Sequence, residues 1–214
     1  MEDRKTRNKV EEPFTEYRPT GEVGGRYTYA DYLTWEDDQR VELIKGKVFR
    51  FAAAPRTNHQ RVSGKIFAAL YAFLQGKPCE VFPAPFDVRL PSRSLKNEDI
   101  DTVVQPDLCV ICDPKKLDEL GCIGAPDLIV EILSPGNNRK ELQNKYEVYE
   151  ESGVTEYWII HPDEGTLLIY MLENGKYIPS RLFTLGDVVR SKAITGFNLN
   201  LDEVFGHLSG SGGA

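Results

Sequence analysis

Residues 103–135 read VVQPDLCVICDPKKLDELGCIGAPDLIVEILSP, and Glu131 lies inside the apolar run LIVEIL. A carboxylate taken out of water costs several kcal/mol unless it is paired or binds a metal. Two Pro-Asp pairs are near enough in sequence to matter, Pro106-Asp107 and Pro126-Asp127. Asp127 and Glu131 sit four apart on one expected strand, which separates them by about 13 Å at about 3.3 Å per residue. Metal–oxygen bonds are about 2 to 2.5 Å, so those two cannot share an ion while the strand is extended. Asp107 belongs to the preceding strand, and paired strands lie only about 4.8 Å apart. Pro106 suits a bend or an edge there. Asp107 and Glu131 can thus converge on one Mg²⁺ or Mn²⁺, which would account for the glutamate. A lysine or arginine from a helix packed on the sheet would account for it as well, and burial alone does not choose between them.

The helix that follows bears on that choice. Residues 138–152 read as helical, and Gly153 can supply a left-handed end. On a wheel of about 100° per residue with Leu142 at the origin, Tyr149 falls at about −20° and Tyr146 at about +40°, defining the packed face. Lys145 falls at about −60°, on the rim of that face, whereas Lys140 points almost directly away. Lys145 can therefore reach the sheet where Asp107 and Glu131 would lie.

The elements that must hold these groups follow from periodicity. Residues 1–26 lack it and carry Pro and Gly, so they read as a flexible arm. TYADYLTW begins a short helix with Thr28 as N-cap and Asp31 in its first turn. RVELIKGKVFRF reads as a hairpin turning at Lys45-Gly46. Thr57 and Gln60 match a capping box, and Val62, Ile66, Ala69, Leu70 and Phe73 continue at helical spacing. CEVFPAPFDVRL, TVVQPDLCVI and PDLIVEIL look like three consecutive strands, the first two joined by the exposed loop PSRSLKNEDID. EYWIIHP reads as a buried strand, and an Asn-Gly turn joins two further strands in GTLLIYMLENGKYIPSRLF. The expectation is one α/β domain over residues 27–206, a mixed sheet flanked by helices, with a flexible tail at 207–214.

Composition limits the alternatives. A chain of 214 residues, 41% of them hydrophobic, suits one well-cored domain. Its formal net charge of −7 argues against retention on nucleic acid by bulk charge alone. No apolar stretch approaches the roughly 20 residues of a membrane helix, and the first residues carry no apolar leader, so cytoplasmic residence is expected. Four cysteines, Cys79, Cys109, Cys112 and Cys122, are too few for a disulfide scaffold and fit a reducing compartment. Cys109 and Cys112 lie three apart on one strand, hence on opposite faces, so they read as buried and inert rather than as zinc ligands. Neither a G-x-S-x-G elbow nor a phosphate-binding G-x-x-x-x-G-K-[ST] loop occurs.

An aspartate after proline, a second acid on the next strand and a nearby lysine resemble the PD-(D/E)XK nuclease superfamily. More narrowly, the chain resembles the Uma-two type of restriction endonucleases from about Tyr27 to Phe205. The likeness is carried by YADYLTW, VELIKGKV, NHQRVSGKI, VVQPDLCVI and above all the block from Pro126 to Pro162. It implies a restriction-endonuclease-like core with added β-hairpins, and metal-dependent cleavage of phosphodiester bonds in DNA. The motif aspartate maps to Asp107 and the second acid to Glu131. The motif lysine would fall at position 133, which is Leu133, so the resemblance implies a lysine from the following helix, and Lys145 has the suitable geometry. Glu42 matches the upstream acid that serves such nucleases as an extra ligand or supporting group, and His59 matches the family pattern at NHQR as a contact to phosphate or water.

The implied site is Asp107, Glu131 and the Ile132 carbonyl holding Mg²⁺ or Mn²⁺, with Glu42 assisting and Lys145 beside the attacking water. A DNA-contacting patch is expected from Arg50, Arg56, Arg61, Lys65, Arg139 and Lys140. Superfamily members are often dimers, so the resemblance offers a homodimer by analogy only, and the sequence itself does not reveal the oligomeric state. Two rival readings stay open: a non-catalytic module of the same fold that binds DNA or protein, favoured by Leu133 and the acidic charge, and a hydrolase of small phosphoesters.

Overall fold

A computed structural model of the chain describes residues 14–17, 25–35, 41–51, 56–134 and 139–210, with backbone alone at 14–17, 50–51, 139–141 and 209–210. A six-stranded mixed sheet forms its centre. In chain order its strands are β4 (Glu80–Pro83), β7 (Leu108–Ile111), β10 (Leu128–Ile132), β11 (Glu156–His161), β12 (Thr166–Glu173) and β13 (Lys176–Pro179). Across the sheet the order is β13-β12-β11-β10-β7-β4. β10 and β11 are parallel, and the neighbouring pairs are antiparallel.

β10 and β11 are apolar on both faces because both faces are covered. Leu128, Val130, Trp158 and Ile160 meet Val62, Ile66 and Leu70 of helix α2 (Thr57–Leu74). Ile129, Tyr157 and Ile159 meet Val148 and Tyr149 of helix α3 (Arg139–Ser152). The apolar spacing expected of α2 is what packs. Its cap differs: the helix starts one residue earlier, with Arg56 in extended backbone as N-cap and no side-chain cap bond. Thr57 is therefore the first helical residue, out of capping position. At the other helix, Gly153 takes φ 87° and ends α3 as expected.

A second, seven-stranded sheet runs β1-β3-β2-β6-β5-β9-β8. It comprises β1 (Phe14–Tyr17), β2 (Val41–Ile44), β3 (Lys47–Phe51), β5 (Val88–Arg89), β6 (Val103–Val104), β8 (Leu117–Asp118) and β9 (Gly121–Ile123). Two of the expected strands thus divide. CEVFPAPFDVRL supplies β4 to one sheet and β5 to the other, and TVVQPDLCVI does the same with β7 and β6. Pro106 lies at the second crossing, where its lack of an N–H costs no ladder bond. Both hairpin turns hold: Lys45 and Gly46, and Asn174 and Gly175, have positive φ, as the tight turns of twisted hairpins require. Helix α1 (Tyr29–Tyr32) carries the Thr28/Asp31 capping box.

Three expectations are corrected. Phe14–Tyr17, assigned to a flexible arm, pairs antiparallel with β3; the rest of that arm up to residue 24 lies outside the described residues. Gly206–Gly210 forms a 3₁₀ turn after helix α4 (Leu201–Phe205) where a flexible tail was expected, because His207 meets the Asn58 side chain at the start of α2. Residues 211–214 lie outside the described set. Finally, Cys79 and Cys112 form a disulfide. The β4–β7 register pairs Glu80 with Ile111, so the next residue outward on each side is a cysteine facing its partner across 33 residues of chain. Cys109 and Cys122 are free and buried, and Cys109 does face away from Cys112, toward α3. The small remaining sheet pairs β14 (Val188–Arg190) with β15 (Asn198–Asn200). No helix among the described residues is long and apolar enough to cross a membrane.

Candidate functional site

The β7–β10 register ends with Leu108 opposite Val130, and Asp107 and Glu131 are the next residues along the chain from that pair. The Asp107 side chain turns along the strand end, where Oδ2 accepts from the Ile132 amide at 2.7 Å. Its partner in the chain's own puzzle, Asp127, does something different. Asp127 Oδ2 accepts from the Cys112 amide at 2.8 Å and so ties off the far end of the same pair of strands.

Glu131 is 7% exposed and meets α3. Its Oε1 accepts from Lys145 Nζ at 2.9 Å and from the Tyr149 hydroxyl at 2.6 Å. Lys145 and Tyr149 are four apart and therefore on one helical face. Lys145 is 2% exposed, and its Nζ also lies 3.1 Å from Oε1 of Glu42. Glu42, on β2, is fully buried; the same Oε1 accepts from the Gln105 amide at 2.8 Å. Gln105 is the residue before Pro106-Asp107, so Glu42 holds both the lysine and the crossing that delivers the aspartate.

Burial first, with the charges of Asp107 and Glu42 adding, pushes the Glu131 carboxyl up to about 7 despite the opposing pull of Lys145. Burial and the facing Glu131 hold the Tyr149 phenol well above its ordinary range, so it remains a donor. His59, in the first turn of α2, is buried with Nε2 3.2 Å from Asp107 Oδ2. Burial alone would lower its pKa, but the hydrogen bond and charge of Asp107, then Glu131 and the Ile132 backbone, outweigh it and the net is a rise. Its Nδ1 is buried without a hydrogen-bond partner among the described residues.

One pattern runs through the three carboxylates. Each has one oxygen holding two contacts: Asp107 Oδ2 with Ile132 N and His59, Glu131 Oε1 with Lys145 and Tyr149, Glu42 Oε1 with Gln105 N and Lys145. The second oxygen of Glu42 is buried with no hydrogen-bond partner among the described residues. Carboxylate and carbonyl oxygens are the donors that hard cations such as Mg²⁺ and Mn²⁺ take. By donor chemistry and by that orphaned oxygen the set suits such an ion. The side chains are nevertheless drawn onto Lys145, and no three His, Cys, Asp or Glu groups among the described residues are clustered closely enough to hold a metal.

The other expected contacts divide. Arg56, the N-cap of α2, and Arg61 in its first turns are exposed, while Lys65 is tied to the Val204 carbonyl at 3.1 Å. The side chains of Arg50, Arg139 and Lys140 lie outside the described residues. The sequence places Tyr149 on the packed face of its helix but gives neither it nor Gln105 a role in the site. The helical interval from Lys145 could have found the first; nothing local marks the second.

The chain matches the model of the Uma2 family, described as "Putative restriction endonuclease", over residues 29–202. The uncharacterized protein slr1290 of Synechocystis sp. is 24% identical over 132 residues, covering 61% of this chain. The match spans 65% of that relative's length, just under two thirds. A crystal structure from Anabaena variabilis ATCC 29413, described as a "putative nuclease belonging to DUF820", has a TM-score of 0.68 at 20% identity and covers 85% of this chain and 99% of that one. At that identity the likeness is one of fold, and it agrees with the restriction-endonuclease-like architecture.

Proposed function

The chain belongs to the Uma2 family, and from that premise we propose that it is a metal-dependent endonuclease hydrolysing phosphodiester bonds in DNA. The observation that carries this reading is that Asp107 accepts from the Ile132 amide, the residue after Glu131, while Glu131 itself meets a buried lysine. Asp107, Glu131 and the Ile132 carbonyl are the groups that would hold Mg²⁺ or Mn²⁺. When bound, such an ion polarises a phosphoryl oxygen and lowers the pKa of water.

The chain's own residues have separable tasks. Asp107 is oriented by the Ile132 amide and His59. Glu42 anchors Lys145 and, through the Gln105 amide, steadies the crossing into Asp107. The Lys145 ammonium offsets negative charge building on the transferring phosphoryl group, from α3 rather than from position 133. Arg56 and Arg61, exposed near His59 in the sequence of α2, are suited to the DNA backbone.

Nicking of supercoiled plasmid in Mg²⁺ or Mn²⁺ tests the proposal. Activity lost on chelation and in D107A and E131A, with both variants folded, is the expected result; cleavage by both variants at the wild-type rate overturns the assignment. A non-catalytic module is the second reading, favoured by Leu133 and by Lys145 already engaging two carboxylates. It predicts DNA binding without turnover under any divalent ion.

A further inference from the structure

We infer that Tyr149 is a positioning residue: with Lys145 it holds one oxygen of Glu131, so that the other oxygen is the one offered to the divalent ion. This rests on the reading above and deepens it. The terminal torsion of a glutamate is broad and roughly two-fold, so an unclamped carboxylate presents either oxygen. Here both donors reach the same atom, Oε1, at 2.9 Å from Lys145 and 2.6 Å from Tyr149.

The tyrosine can do this because packing surrounds it. Its side chain is fully buried, and its ring meets that of Tyr157 edge-on at 5.0 Å between centroids. α3 carries Lys145 and Tyr149 one turn apart, so a single rigid element aims both donors at one point. A buried tyrosine hydroxyl needs an acceptor in any case, and a purely structural role would be satisfied by either carboxylate oxygen. Convergence on one oxygen, while Asp107 holds the amide of the next residue, Ile132, is what assigns Tyr149 to the site. Partners that orient metal ligands in this way typically change affinity or activity by about 10–100-fold when removed.

The test is Y149F in the full chain, which keeps the ring and removes only the hydroxyl. Mn²⁺ binding is measured by calorimetry without DNA, and plasmid nicking is followed for kcat and KM separately. The expected result is Mn²⁺ affinity weakened about tenfold or more and kcat lowered, with KM for DNA unchanged. Read as Mn²⁺ affinity, the loss should vanish in an E131Q background, where Y149F weakens binding no further, because the tyrosine acts through that carboxylate. Wild-type Mn²⁺ affinity and kcat in Y149F overturn the inference, as does an equal loss with and without E131Q. If the wild-type chain itself neither binds Mn²⁺ nor nicks DNA, the nuclease reading fails first and this inference falls with it.

Discussion

Lys145 Nζ lies 2.9 Å from Glu131 Oε1, joining α3 to β10 across 14 residues of chain, and 3.1 Å from Glu42 Oε1 on the other sheet. One ammonium thus serves two buried carboxylates drawn from two sheets. Removing a partner from a buried ion pair leaves an uncompensated charge, whereas a well-packed apolar replacement of the whole pair is often tolerated.

K145A should accordingly destabilise the protein by roughly 3–5 kcal/mol. Urea unfolding measures it. The K145M/E131Q double variant should lose less than the sum of its singles, since the two side chains touch. Additive losses would mean the contact contributes little.

Glu131 predicts a pH dependence in chelator. Its folded-state carboxyl titrates at about 7 against an ordinary 4.5, burial being the main cause. Between these values the folded state binds more protons than the unfolded, so this residue's contribution to stability falls as pH rises. The contribution is full below about pH 4.5 and gone above about pH 7. E131Q has no proton to lose there. Its stability should fall less than wild type between these two pH values, and parallel curves would contradict the shift.

The two Pro-Asp pairs should separate cleanly. D127A removes the acceptor for the Cys112 amide and should cost about 1–3 kcal/mol, the cost of an unmet backbone donor. Its nicking activity below the unfolding range should match wild type, while D107A should have none. Loss of activity in folded D127A would mean the far end of the strand pair also matters to the chemistry.

Thiol labelling reads the cysteines. Burial pushes the Cys109 thiol well up and Cys122 up to about 12, and the thiolate is the reactive form. Native protein should take no label from iodoacetamide at pH 8. Unfolded protein should take two without reductant and four with it, given one disulfide among four cysteines. Mass spectrometry counts the labels; four without reductant would deny the Cys79–Cys112 bond.

Where short-range pattern sufficed, the sequence alone was decisive. The period of apolar residues marked the packed faces of α2 and α3, the pairs Lys45-Gly46 and Asn174-Gly175 marked tight turns, and strand geometry chose Asp107 over Asp127 as the neighbour of Glu131. The wheel that set Lys145 on the rim of α3 anticipated its contact with the sheet, because a helix face is determined by intervals of three and four residues. Only the tertiary structure divided two expected strands between two sheets, brought Cys79 to Cys112, and set Glu42 against Lys145. These are matters of register between segments far apart in the chain, and nothing local encodes which residue of one strand lands opposite which residue of another. The choice of carboxylate oxygen for each donor belongs there too, since it depends on the angle at which a helix lies across a sheet.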